Sequence, residues 1–228
     1  MPVRKFAAAL ACALCLSLGG AQAAMAAPYA DFKSDIEYQR DGKQAKKCGA
    51  AYSAENFARM DVDLGKAGEF TFLVDMKAGM LRVLSRKLHA YVEVPVAGNA
   101  RSWREIVQSA AAAVMPQSMG MITLQEKEYA RVGKGSWKGY SVQKSRCVYE
   151  ASFMGKSQRF TFEVWENTAF APFPMRASSA ETKAFHGGSA WLSNIAAEQS
   201  SADMFRVPDT FTRYTSIMDL LLYALTAF

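Results

Sequence analysis

The sequence predicts a mainly β fold with helices, an α+β protein. Three observations predict it: apolar residues on every second position through the first half, turn residues between those runs, and a capped amphipathic stretch that separates two series of strands. In Ala58-Arg59-Met60-Asp61-Val62-Asp63-Leu64, the residues Met60, Val62 and Leu64 share one face while Arg59, Asp61 and Asp63 share the other. Gly65-Lys66-Ala67-Gly68 turns the chain into Phe70 to Val74, and Asp75 to Gly79 turns it into Leu81 to Leu84. A further strand, His89 to Val94, stops at Pro95. From Asp31 to Pro95 this describes an antiparallel meander with one apolar and one charged face.

Ser102-Trp103-Arg104-Glu105 matches a capping box, and Trp103, Ile106, Val107, Ala110, Ala111 and Val114 follow at helical spacing before Pro116. The second half predicts strands over Met121 to Val132, Trp137 to Tyr149 and Gln158 to Trp165, with Phe160, Phe162 and Val164 on one face of the last. Ser178-Ser179-Ala180-Glu181 reads as a second capping box opening a helical stretch. Gly187-Gly188 divides that stretch from a short helix at Trp191 to Ala197. Ser216 caps a last helix that is apolar nearly all round, with Ile217, Leu220, Leu221, Ala224, Leu225 and Phe228 on one side.

The first 27 residues have the order of a cleavable secretory signal. Arg4 and Lys5 precede an apolar stretch from Phe6 to Leu18, then a Gly19-Gly20 break and the small-residue run Ala21 to Ala27. Cleavage is expected near Ala23-Ala24, the alternative at Ala27-Pro28 being disfavoured by the proline after the cut, and residues 28–228 are expected to form a single domain. The apolar core falls short of the roughly 20 residues a spanning helix needs, and so does the C-terminal helix with Asp219 inside it, so nothing membrane-spanning is expected after signal removal. The net charge of +6 drops to +4 without Arg4 and Lys5. Much of that excess lies in Arg131, Lys134, Lys138, Lys144 and Arg146, a segment without any acid. Such a stripe suits either one solvated face of a hairpin or an anionic partner. Export argues against nucleic acid and leaves anionic lipid or an envelope protein.

Export also removes Cys12 and Cys15, so Cys48 and Cys147 remain as an even pair in an oxidising compartment, and a disulfide between them is expected. It would close a loop of about 100 residues. No phosphate-binding glycine loop, nucleophile elbow or zinc-binding helix motif is present. Neither His89 nor His186 has a cysteine or carboxylate at ligand spacing, or a serine or cysteine partner identifiable by spacing. No metal site, cofactor or catalytic residue is therefore expected, and a binding protein is favoured over an enzyme. Asp61 and Asp63, two apart on one strand face, suit solvated alternation as well as they suit a cation.

Asp31-Phe32, Arg59-Met60-Asp61-Val62, Phe72-Leu73-Val74-Asp75 with its lysine-glycine turn, and Tyr91-Val92-Glu93-Val94-Pro95 together resemble an uncharacterised periplasmic family of the outer-membrane lipoprotein-sorting (LolA/LolB-like) superfamily. Gly139-Tyr140, Val164-Trp165 and Pro174 extend the resemblance through the second half. It implies a curved antiparallel sheet forming an incomplete barrel, its concave face covered by helices and able to accept a lipid or a lipoprotein acyl chain. The apolar face would be Met60, Val62, Phe70, Phe72, Val74, Val92, Phe160 and Phe162. The lid helices would contribute Trp103, Ile106, Leu221 and Leu225. The same residues would equally make an ordinary filled core, in which case the protein would bind an envelope partner through its charged face and hold no small ligand.

Overall fold

A computed structural model describes residues 29–65, 68–98, 100–115, 122–153, 156–180, 187–217, 219–220 and 223. The expected signal peptide and the lid residues Leu221 and Leu225 lie outside them. Twelve strands form one sheet: β1 (Tyr29–Arg40), β2 (Lys46–Glu55), β3 (Phe57–Asp63), β4 (Glu69–Asp75), β5 (Met80–Ser85), β6 (Ala90–Pro95), β7 (Ile122–Trp137), β8 (Tyr140–Phe153), β9 (Lys156–Glu166), β10 (Arg176–Ser179), β11 (Gly188–Ala196) and β12 (Thr212–Tyr214). Their order across the sheet is β12-β6-β5-β4-β3-β2-β1-β11-β10-β9-β8-β7. Every pairing is antiparallel except the short parallel contact of β12 with β6. Helix α1 (Trp103–Val114) separates β6 from β7.

This overturns the expected helix-covered half-barrel. The sheet does not close, since β12 and β7 are its two edges, and α1 is the one α-helix of defined extent among the described residues. Trp103 and Ile106 are its only buried residues. The apolar face of β1–β6 and β11 is met elsewhere by Val96 and Ala100 before α1, by Phe173 after β9, and by Leu220. The helix expected at Trp191 to Ala197 is strand β11, and the capping box expected at Ser178 is the end of β10. Local helix signals lose there because β11 is inserted between β1 and β10, where both rows of its backbone groups are paired. Its residues Trp191, Leu192 and Ile195 also favour a pleated, half-buried surface.

The meander over residues 57–95 forms with the expected antiparallel strands and alternating faces. Met60 lies opposite Phe72 and Ala51, and Val62 opposite Phe70 and Gly49, so one face is continuous from β2 to β4. The opposite face carries charge pairs, Arg82 with Glu93 across β5 and β6 at 2.9 Å and Arg59 with Asp61 along β3 at 3.0 Å. The Asp61 and Asp63 carboxylates are engaged by protein donors: Asp61 accepts from Arg59 and Thr71, and Asp63 from the Gly65 amide. His89 sits in the turn before β6 rather than in a strand, at φ 48°, with its ring against Phe211.

The β7–β8 hairpin is longer than the sequence suggested. Its turn is Lys138-Gly139, both at positive φ (48° and 86°), flanked by the Trp137–Tyr140 pair. A two-residue turn with both central residues at positive φ matches the twist of the strands it joins. The stretch 133–136 therefore continues β7 instead of ending it, with a register shift between Arg131 and Gly133.

Candidate functional site

The residues expected to form an apolar binding face are present on one side of the sheet, but in two clusters. Met60, Val62, Phe70, Val74 and Val92 belong to the large core, with Phe72 packed against it; Phe160 and Phe162 belong to a second cluster with Cys147, Tyr149, Val164 and Ala177. Val107 of α1 touches both clusters and joins them. All of these except the half-buried Phe72 are close-packed; Met60 and Phe162 are 0% exposed. A side chain of this size contributes about 1.5–3 kcal/mol when fully removed from water.

Trp103 fixes the start of α1 over this face. Its ring stacks on Phe173 at 5.3 Å between centroids and meets Phe72 edge-on at 6.3 Å, and its amide donates to the Pro172 carbonyl at 2.8 Å. The capping box is complete: the Ser102 hydroxyl accepts from the Glu105 amide, and the Glu105 carboxylate accepts from the Ser102 amide. These contacts satisfy early backbone donors that the helix itself leaves open.

One polar device between the clusters was not foreseen. Arg104 of α1 donates to Glu126 of β7, its Nε reaching Oε2 at 2.6 Å, and the same carboxylate accepts from the Tyr149 hydroxyl at 2.6 Å. The Arg104 guanidinium also lies 4.2 Å over the Tyr129 ring. Burial pushes the Glu126 carboxyl upward, but the bonds from Arg104 and Tyr149 outweigh it and hold its pKa below the ordinary value. Burial, then the bond to Glu126, raises Tyr149, so its proton stays on the phenol.

The expected Cys48–Cys147 disulfide is absent. Cys48 lies on β2 beside the large core and Cys147 on β8 inside the second cluster. Four strands, β1, β11, β10 and β9, stand between β2 and β8. With strands about 4.8 Å apart, the two positions are far beyond the roughly 7 Å Cα separation a disulfide allows. Burial pushes the Cys147 thiol up to about 12, so it is an inert packing group.

A small open cleft lies at the far end of α1. Val92, Glu93, Val94 and Pro95 of β6, Ala113 and Val114 of α1, and Thr215 and Ile217 line it. Here a residue of the expected apolar face, Val92, is among the lining of an opening between helix and sheet. Ser216 caps the helical residues that follow, accepting from the Asp219 amide at 3.3 Å, and Leu220 is buried in the core.

No family model matches the chain, and no curated protein matches it. Among solved structures the chain is similar to LprF from Mycobacterium bovis, at 12% identity over 79% of this chain and 90% of that one, with a TM-score of 0.31. It is similar to the Mycobacterium tuberculosis lipoprotein LppX, at 12% identity over 89% and 98%, TM-score 0.31. It is also similar to PNGF-II, at 9% identity over 86% of this chain but 33% of that one, TM-score 0.42. Likenesses of this size carry no argument about the fold or the activity of this chain. Among the described residues no helix is long and apolar enough to cross a membrane, which says nothing of strands.

Proposed function

We propose that this chain is a non-enzymatic periplasmic protein that takes a lipid, an acyl chain or another apolar ligand against the apolar face of its sheet. The signal peptide within residues 1–27 would be removed by a cut near Ala23, and residues 28–228 would act as a single unit. The observation that carries the reading is the cleft between β6, the end of α1 and Ile217, because it opens onto Val92 and the face behind it. Trp103 and Ile106 are the buried residues of α1, whereas Ala113 and Val114 are partly buried against the core, and a chain entering there would displace their contacts. A ligand would gain about 25 cal/mol per Å² of apolar surface removed from water.

The second reading is an envelope interaction module with a filled core. It is favoured by the complete burial of Met60, Ile106 and Phe162. Native mass spectrometry of protein purified from the periplasm separates the two. Carrier function predicts co-purifying lipid mass and displacement of a fluorescent fatty acid. A clean apo mass with no displacement leaves the filled core as the answer. Deletion of residues 214–228 sharpens the test, since a removable lid gives a folded protein that binds apolar dye more strongly, whereas a core element gives aggregation.

A further inference from the structure

Across most of the sheet surface, basic side chains stand next to acids. Lys47 meets Asp35, Arg82 meets Glu93, Arg86 meets Glu69, and Lys127 and Arg159 both meet Glu150. The end of the β7–β8 hairpin breaks that pattern. From Tyr129 to Tyr149 there are five basic residues and no acid. Arg131, Lys134, Lys138 and Arg146 are exposed. Among the described residues Lys134 and Lys138 enter no ion pair, while Arg146 stands opposite Glu163 of β9. Register places them on both sides of the hairpin: Arg131 pairs with Ser145, so it shares that face, while Lys144 and Arg146 lie on the other.

A second observation falls on the same few residues. Val132, at 55% exposed, and Tyr140, at 37%, are two of the three large exposed apolar side chains among the described residues. The hairpin end is also firmly based. Trp137 packs edge-on against Trp165 at 5.4 Å and Trp191 at 6.3 Å, and the Arg176 guanidinium lies 4.9 Å from its ring.

We propose that the end of this hairpin, residues 131–146, docks on the surface of a bilayer containing anionic phospholipid. Lys134 and Lys138, which enter no ion pair, beside an exposed valine and tyrosine match a surface that is negative at the headgroups and apolar just beneath. An added peptide strand fits less well, because register shifts between Glu126 and Glu128 and between Arg131 and Gly133 interrupt the free edge of β7. The docking does not depend on a ligand occupying the sheet face.

The test is co-sedimentation of the mature chain with vesicles of phosphatidylethanolamine and phosphatidylglycerol, against vesicles of phosphatidylcholine alone. Binding is expected only to the anionic vesicles, and it should fall away near 1 M salt, where the Debye length is about 3 Å. The double variant Lys134→Glu with Lys138→Glu should lower partitioning on the order of thirtyfold, from about fivefold per basic residue. Lys43→Glu with Lys77→Glu makes the same charge change on two distant exposed turns and should lower it much less. Val132→Ser should weaken vesicle binding without altering retention on polyglutamate. Equal loss in both double variants, or binding to polyglutamate in place of vesicles, would overturn the proposal. So would failure to bind anionic vesicles at all. Circular dichroism confirms that each variant is folded, and the fatty-acid displacement described above reports separately on the interior.

Discussion

The two ends of this sheet solve the same problem in different ways. Strands β3 to β6 are 6 or 7 residues long, bury one face in the large core, and carry acid-base pairs on the other. Strands β7 to β9 run 16, 14 and 11 residues, share a smaller core, and extend into a hairpin end where Lys134 and Lys138 enter no ion pair. The short strands are used up by packing, while the long hairpin has more length than the core needs. Surplus length with unmatched charge marks the part of a fold that is free to meet something else.

The comparison can be broken most forcefully at Trp103, which belongs to the large core. Trp103→Ala should cost about 4 kcal/mol of unfolding free energy in chemical denaturation, the largest loss among these variants. Phe162→Ala, in the smaller cluster, should cost about 3 kcal/mol within a single transition. A second transition would mean that the two ends fold separately. Arg104→Met tests the device between them and should cost about 2 kcal/mol by leaving Glu126 without its charged partner. Because the Glu126 pKa is depressed in the folded protein, its contribution is present above the ordinary carboxylate value near about 4.3 and is lost as pH falls through the lower folded value. The acid midpoint of near-ultraviolet circular dichroism should therefore move upward in Arg104→Met. The smallest effect belongs to Lys134→Glu with Lys138→Glu, which should leave stability within about 0.5 kcal/mol. A larger loss there would show the hairpin end to be structural.

Much of the first half was legible because its signals are local. The alternation in residues 58–64, the Gly-containing turns and the Ser102 capping box each act within a few residues, and all three are present in the fold. The buried faces of Phe160 and Phe162 followed from the same period of two. What failed was nonlocal. Ser178 and Trp191 carry helix-start and helix-face signals, yet strands β10 and β11 are formed by their partners β9 and β1. The Cys48–Cys147 expectation rested on compartment and parity, neither of which measures the four strands in between. The Arg104–Glu126 and Glu126–Tyr149 bonds join residues 22 and 23 positions apart and have no spacing rule. Nothing in the sequence distinguished the exposed cations of the hairpin end from an ordinary solvated face until the acids elsewhere were seen to be paired.

Strand β1 holds the centre of the sheet between β2, its neighbour in sequence, and β11, which pairs Lys33 with Ala196 and Arg40 with Gly188. A chain emerging from its amino end presents β1 to β6 early, but one flank of β1 stays open until residues 188–196 arrive. Closing so distant a pairing is slow compared with forming hairpins. The seam between β1 and β11 is thus expected to close late, and the interval before it is when the half-built sheet is most exposed to wrong partners.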